Sequence, residues 1–263
     1  MIDRLLSMFD FLVKNPLGFL LYFVNLACAL LLTLVMHEFA HAYVAFKCGD
    51  PTAKMFGRLT LNPLKHLDPV GTVCMLFLGF GWAKPVPINP RNFKNAWQDD
   101  FFVSIAGITM NLSLFLISTA LMIALHKFVW TPQVIQVYGN MQLLSSNGLG
   151  FAYLLNTGLL NDALVINNTV LAYVQRFLIL FARFNLMVSI FNFLPVPPLD
   201  GYHIFNDLIF KGKLRMQGNM ITIVHALFLI LMFSGTLGKV LSTVVGYIET
   251  GVLNTLLKVV GAA

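Results

Sequence analysis

The feature that most constrains this chain is an apolar stretch from Leu17 to Phe46 that carries a metal-binding motif near its end. A helix rises 1.5 Å per residue, so a helical stretch of about 30 residues exceeds the hydrocarbon thickness of a bilayer. The motif, His37-Glu38-Phe39-Ala40-His41, lies in the last third of this stretch. A carboxylate costs about 3 kcal/mol at membrane depth, which makes Glu38 a candidate for function rather than for packing.

The composition predicts an all-α polytopic membrane protein. Hydrophobic residues make up 58% of the 263 residues and charged residues 11%, too few to cover a soluble globule of this size. The apolar segments predict about four transmembrane helices, at 17–46, 99–125, 169–194 and 220–233. The net charge of +6 is attributed to membrane orientation rather than to nucleic-acid binding, because the basic residues lie in short loops. The three cysteines indicate no disulfide framework.

The chain is predicted to have three parts. Residues 1–16 are expected to form an amphipathic helix on the membrane surface, because two aspartates interrupt their apolar residues. Residues 17–235 form the membrane core, and residues 236–263 repeat apolar residues at helical spacing as a C-terminal amphipathic helix. Within the core, residues 126–168 are poor in charge and rich in Asn, Gly, Ser and Gln, which is typical of an external connector.

The region between the first two helices is predicted to contain a re-entrant segment and short β-strands. Residues 68–82 are apolar but short for a span, and both of their flanks are basic, so a re-entrant segment is favoured over a complete span. Residues 57–62 and 84–89 alternate in the manner of strands, and prolines confine the second of these to a sheet edge. Such membrane-associated strands would line a cavity, because backbone at membrane depth needs hydrogen-bond partners.

Basic residues predict the orientation of the chain. Residues 47–94 contain seven of the seventeen Lys and Arg residues, and Lys211, Lys213 and Arg215 form a second group. The positive-inside rule places both groups in the cytoplasm. The chain is therefore expected in the cell membrane as a multi-pass protein, with the motif near the cytoplasmic leaflet.

The HExxH motif predicts a zinc site. Residues four apart lie on one face of a helix, so His37 and His41 can bind one metal ion, and Glu38 can hold the attacking water. The alternative is a pair of buried structural histidines. A catalytic zinc site usually has three protein ligands. Asp200 is the favoured third ligand, because it is an acidic group at the broken end of a membrane helix on the same side, and His203 is a second candidate.

The other polar groups carry weaker indications. Glu249 is more than 200 residues from the motif, and the isolated residues His66, His126 and His225 are more typical of structural roles. Asn111 lies in an otherwise apolar helix, where it could either bond a neighbouring helix or face a catalytic cavity.

The sequence resembles the site-2 protease family of intramembrane zinc metalloproteases over most of residues 25–210. The motifs that carry the resemblance occur in family order: HEFAH at 37–41, GRLTLNPLKHLDP at 57–69, GWAKPVPINPRN at 81–92, Ala106-Gly107 with Asn111, and Asn192 with PPLDG at 197–201. The resemblance implies zinc ligands at His37, His41 and Asp200, a general base at Glu38, and cavity or substrate-binding roles for Asn111 and Asn192. Ile108 and Tyr202 depart from the family pattern. The chain looks like a minimal form without PDZ or CBS domains.

These features together predict an intramembrane zinc metalloprotease. Its expected substrates are single-span membrane proteins in the lipid bilayer, cut within or near their transmembrane segments, and residues 84–89 could receive an unwound substrate by strand addition. Two alternatives stay open. One is a membrane-anchored zinc protease that cuts soluble peptides, and the other is a non-proteolytic metal-binding membrane protein.

Overall fold

The structure is a computed structural model that describes residues 2–78, 81–155, 162–214 and 218–261. These ranges fold almost entirely as helices. In chain order the helices are α1 (Ile2–Lys14), α2 (Pro16–Lys47), α3 (Thr52–Met55), α4 (Pro63–His66), α5 (Pro69–Leu78), α6 (Ala96–Val129), α7 (Pro132–Leu144), α8 (Leu149–Leu155), α9 (Thr169–Asn192), α10 (Asp200–Phe210), α11 (Asn219–Phe233) and α12 (Thr236–Val259). Arg215 of the predicted cytoplasmic group lies outside the described residues.

Four helices are long and apolar enough to cross a membrane, namely α2, α6, α9 and α12. The prediction of an all-α protein with about four transmembrane helices is therefore confirmed. The helix α2 begins where its sequence indicates, because Asn15 accepts a hydrogen bond from the Gly18 N–H (2.9 Å) and Pro16 occupies the first helical position.

The fourth of these helices is not the predicted one. The segment expected to form the last span is α11, which has 15 residues and is shorter than the roughly 20 residues that a bilayer requires. The chain turns at Gly235, which has a positive φ of 76°, and continues as the 24-residue α12. The apolar pattern alone could not choose between them, because both segments are apolar.

The helices α2, α6 and α9 pack against one another and form the centre of the protein. Two buried hydrogen bonds fix their relative positions. The side chain of Asn185 in α9 donates to the Thr33 hydroxyl in α2 (3.1 Å), and the Ser189 hydroxyl donates to the Ile108 carbonyl in α6 (3.1 Å). A hydrogen bond between apolar helices is a specific constraint, because lipid offers no competing partner.

The connector at residues 126–168 contains a helical hairpin, α7 and α8, that folds back along α9. The Leu143 carbonyl in α7 accepts a hydrogen bond from Gln175 (3.1 Å). At the tip of the hairpin, Ser146 accepts a hydrogen bond from Arg183, about 21 Å along α9 from its first residue. Glu249 in α12 accepts two hydrogen bonds from Ser146, both 2.7 Å long. These contacts attach α12 to the core.

The predicted strands at 57–62 and 84–89 were wrong. Across the four described ranges the structure contains no β-strand, only isolated bridges such as that between Leu67 and Ala83. At residues 84–89 the reason is that Pro85 and Pro87 have no N–H to donate, and the side chains of Glu38, Asp50 and Arg58 bind several of the other backbone groups.

The predicted re-entrant segment is not supported either. Residues 68–82 contain the ten-residue helix α5, and residues 79 and 80 of this segment lie outside the described residues. The segment is short and has basic flanks, which suggested a re-entrant segment, but these features are equally consistent with a short helix.

Candidate metal centre

The helix α2 brings two imidazole rings together inside the protein. The Nε2 atoms of His37 and His41 are 3.0 Å apart, and both side chains are buried. Their spacing of four residues places them on one face of α2, which packs against α6 and α9. His37 and His41 lie ten and six residues before the end of α2, so the pair sits about 9 to 15 Å inside that end.

Asp200, the first residue of α10, completes the group. Its Oδ2 atom lies 3.2 Å from Nε2 of His37 and 3.2 Å from Nε2 of His41. This position depends on a close approach of α10 to the end of α9. A methyl group at Gly201 would lie 2.4 Å from the carbonyl oxygens of both Phe193 and Leu194, so only glycine allows the approach.

The second nitrogen of each ring has a partner that orients it. Nδ1 of His41 lies 2.7 Å from the Val103 carbonyl, to which it donates, and this leaves a lone pair on Nε2. Nδ1 of His37 lies 3.4 Å from Nδ2 of Asn111, whose Oδ1 has no partner within the described residues. The oxygen and nitrogen of an amide are assigned from their surroundings. Reversing the Asn111 amide would let Oδ1 accept from Nδ1–H of His37 and would satisfy both groups.

The three ligand atoms fit a zinc ion. Tetrahedral zinc with bonds of 2.0–2.1 Å separates its ligand atoms by about 3.3 Å. The observed separations are 3.0, 3.2 and 3.2 Å. Two neutral imidazole nitrogens and a carboxylate oxygen direct lone pairs at one point, which is unfavourable unless a cation lies between them. Within the described ranges, His37, His41 and Asp200 form the one group of this kind.

Gly107 is a site residue, although the Ala106-Gly107 motif by itself indicates no role for it. A methyl group at Gly107 would lie 2.4 Å from Nε2 of His41 and 2.6 Å from Cε1 of His37. These distances are well inside van der Waals contact, so α6 can approach the histidine pair only with glycine at this position. The position of Gly107 on the face of α6 that meets the histidine pair of α2 was not evident from the sequence.

Glu38 lies on the same turn of α2 as the ligands and is fixed by the backbone. Its Oε2 atom accepts a hydrogen bond from the Val86 N–H (2.8 Å). Glu38 is also close enough to His41 to interact with it electrostatically. One carboxylate oxygen is therefore held in place, and the other remains for a water molecule.

The remaining predicted residues lie outside the ligand group. Asn111 is fully buried and contacts His37, whereas Asn192 is half-buried and donates to the Val188 carbonyl one turn earlier (3.1 Å). His203 bonds Asp100 (3.1 Å) instead of joining Asp200. The substrate-binding roles of Asn111 and Asn192 stay predictions.

His66, His126 and Glu249 have hydrogen-bond partners outside the ligand group, whereas Nε2 of His225 has none among the described residues. His66 contacts the Thr60 carbonyl (2.7 Å) and His126 contacts the Ile123 carbonyl (2.6 Å), and both are buried. Structural roles for these two residues stay predictions.

The charge on Asp200 is favoured by its surroundings. Burial by itself raises the pKa of Asp200, but His41 and His37, when their Nε2 atoms carry protons, outweigh burial through their charge and hydrogen bonds and leave this pKa well below its ordinary value. Asp200 therefore stays ionised and available to a cation at neutral pH.

One helical turn beyond His203, a second carboxyl group behaves in the opposite way. Burial, and then the neighbouring charge of Asp100, raise the pKa of Asp207 from 3.8 to about 7. Asp207 is 1% exposed, and its Oδ2 has no hydrogen-bond partner among the described residues. The packing of α10 on α6 thus favours a protonated Asp207.

We expect Asp207 to make the folding stability of the protein depend on pH. A carboxyl group whose pKa is raised by folding contributes stability that is present below its unfolded pKa and is lost as pH rises through its folded pKa. Between about pH 4 and pH 7 the wild type should lose stability, and Asp207→Asn should lose less. Each kcal/mol corresponds to about 2–4 °C in melting temperature for a chain of this size. Thermal unfolding in detergent at pH 5 and pH 8 measures the difference, with the exposed Asp162→Asn as control; equal pH slopes for all three proteins would contradict it.

Comparisons with known proteins agree with the site. The profile of the family described as "Peptidase family M50" matches residues 25–234. The chain is 41% identical over 198 residues to the protein named "Putative zinc metalloprotease YwhC" of Bacillus subtilis (strain 168), covering 74% of this chain and 75% of the relative.

Two mycobacterial relatives are more distant. The protein named "Putative zinc metalloprotease Rip2" of Mycolicibacterium smegmatis is 31% identical over 123 residues, which cover 45% of this chain and 46% of the relative. The protein of the same name from Mycobacterium tuberculosis is 26% identical over 194 residues, 72% of this chain and 58% of the relative. No solved structure shows significant similarity to the chain.

Proposed function

This chain belongs to peptidase family M50, and from that premise we propose that it cuts single-span membrane proteins within or near their transmembrane segments. The protein is an intramembrane zinc metalloprotease. The observation that carries the proposal is the depth of the ligand group, whose histidines lie about 9 to 15 Å inside the end of a helix long enough to span the bilayer. A substrate peptide bond must reach this depth to be cut.

The residues of the site divide the chemistry among them. His37, His41 and Asp200 would hold zinc, which supplies the Lewis acidity that makes water nucleophilic at neutral pH and polarises the scissile carbonyl. Glu38 would accept a proton from the attacking water with its free oxygen and pass it to the leaving amine. The Val103 carbonyl and Asn111 would keep the two imidazole rings in orientation.

Substrate unwinding follows from the same geometry. The carbonyl groups of a transmembrane helix are occupied by hydrogen bonds, so a substrate must unwind locally before attack. Strand addition at residues 84–89 has little support, because Pro85 and Pro87 lack an N–H and the N–H groups of Val86 and Asn89 already donate to carboxylates. Among residues 85–89 this leaves Ile88 alone to donate to an added strand.

The proposal is tested by mapping cleavage sites. Membrane proteomes of cells that express the wild type or Glu38→Gln are compared, and a single-span protein shortened only by the wild type is purified and reconstituted with the enzyme. We expect the cut, mapped by mass spectrometry, within or beside the hydrophobic segment. Cuts confined to soluble regions would favour the membrane-anchored zinc protease, and bound zinc without any cut would favour a metal-binding protein that is not proteolytic.

We also propose that the site opens toward the cytoplasm, because the basic region at residues 47–94 joins the ends of α2 and α6 nearest the ligands. In a cysteine-free variant, Lys65→Cys should react with a membrane-impermeant maleimide only when the cytoplasmic face is exposed. Gln133→Cys, beyond the far end of α6, should react from the outside. Both positions are exposed and polar. The natural Cys48 is a poorer probe, because burial and Asp99 raise the pKa of its thiol. Labelling in the opposite sense would invert the topology.

A further inference from the structure

Residues 84–89, which we call the proline segment, contact the general base through a single backbone group. Pro85 and Pro87 have no N–H, so Val86 carries the one backbone donor between Lys84 and Ile88. A residue that precedes proline is also restricted to extended backbone, which applies to both Lys84 and Val86. The sequence Pro-Val-Pro thus presents one N–H in a stiff chain, and this N–H donates to Oε2 of Glu38 (2.8 Å).

The side chain of Val86 sets the depth of this contact. Val86 is 7% exposed and packs in a small buried cluster with Ala42 and Ala53. Ala42 lies four residues after Glu38, on the same face of α2. The valine side chain and its N–H therefore engage adjacent turns of the HExxH helix.

Asp50 anchors the far end of the proline segment. It lies three residues beyond the end of α2, is fully buried, and accepts the Asn89 N–H (2.7 Å) on Oδ2. Its Oδ1 accepts from the Asn92 side chain (2.8 Å) and from the Thr52 N–H (3.1 Å). Burial opposes ionisation, but these hydrogen bonds leave the pKa of Asp50 below its ordinary value, so the anchor is charged.

Arg58 anchors the near end. Its Nη2 donates to the carbonyl of Lys84 (2.6 Å) and to that of Pro85 (3.2 Å), and the side chain is 8% exposed. The Lys84 N–H donates to the His66 carbonyl (2.9 Å). Asp50 and Arg58 thus place one buried charge on each side of Val86, and each charge is bonded to the backbone of the proline segment. Burying a charge has a large desolvation cost, which indicates that the position of this segment is important.

We propose that Asp50 and Arg58 are positioning residues that clamp the proline segment, so that the Val86 N–H orients the Glu38 carboxylate toward the attacking water. The proposal rests on the proposed role of Glu38 as general base. A carboxylate that is free to rotate would present either oxygen in many directions. With Oε2 occupied, Oε1 alone faces the reaction, and the rotamer is selected before the substrate binds.

A matched pair of substitutions tests the clamp directly. Val86→Pro removes the donor, whereas Val86→Ala keeps it and shortens the side chain. A hydrogen bond to a charged group contributes about 10- to 100-fold, so Val86→Pro should lower kcat by that factor while KM and zinc content stay near wild type. Val86→Ala keeps the N–H but loses part of the packing that sets its depth, so its kcat should lie between those of Val86→Pro and the wild type. Asp50→Leu should lower kcat as much as Val86→Pro does. Asp50→Asn keeps one acceptor oxygen, so its kcat should lie between those of Asp50→Leu and the wild type.

Hydrogen exchange supplies a readout that does not require activity. Because of its prolines, the segment has four backbone N–H groups, and Val86 and Asn89 should exchange slowly in the wild type. Glu38→Ala should speed the exchange of the Val86 N–H alone, and Asp50→Leu should speed the exchange of both N–H groups. Unchanged protection in Glu38→Ala would overturn the contact, and a raised KM with unchanged kcat in Val86→Pro would make the segment a substrate dock instead. If the wild type cut no membrane protein, the proposed function would fail while the exchange result still decided the clamp.

Discussion

Alanine at His37, His41 or Asp200 is expected to remove zinc from the purified protein, whereas Glu38→Gln should retain about one zinc per chain and lose turnover. Loss of an outer-shell partner of a metal ligand costs about 10- to 100-fold in affinity, so loss of a ligand should cost more than about 100-fold. Loss of a general base should lower kcat about 10²- to 10⁴-fold without changing zinc content. Metal analysis and cleavage of a reconstituted single-span substrate measure the two effects separately.

The matched control for the ligand variants is His203→Ala. His203 lies three residues after Asp200 on α10 and bonds Asp100 instead of the ligand group. We expect this variant to keep its zinc. If His203→Ala lost zinc and Asp200→Ala kept it, the third ligand would be His203, and α10 would have to shift by about 4.5 Å along its axis and rotate by about 60°.

The second large effect is expected from a single methyl group. Gly107→Ala would place Cβ 2.4 Å from Nε2 of His41 and within 2.7 Å of two atoms of the His37 ring. The rings or α6 must move, and either movement separates atoms that zinc requires at about 3.3 Å. We therefore expect loss of both zinc and activity, although alanine is a better helix former than glycine.

Gly251→Ala in α12 is the control for this prediction, because a methyl group at Gly251 meets no atom within 4 Å. This variant should keep zinc and activity and should fold at least as well as the wild type. A Gly107→Ala protein that retained full zinc would show that α6 can move away from the histidine pair without disturbing it.

The sequence determined the features that repeat along one helix. The spacing of His37 and His41 fixes their common face whatever surrounds them, and the apolar lengths of α2, α6 and α9 fix their capacity to span a bilayer. For the helices the information is local, so no knowledge of distant contacts was required. Asp200 was favoured as the third ligand on a different ground, because a carboxylate at a helix break on the same side of the membrane needs a partner.

Only the tertiary structure decided what meets the site from elsewhere in the chain. The alternation of residues 84–89 suggested a strand, yet their backbone groups bond Glu38, Asp50 and Arg58, which are 26 to 48 residues away in sequence. Glycine is needed at position 107 because the rings of His37 and His41 lie against it from α2, and no sequence pattern within α6 indicates this contact. Likewise α12 rather than α11 is long enough to span, a result fixed by where the chain turns. Local periodicity specifies faces and lengths, whereas contacts between distant backbone groups depend on how the helices pack.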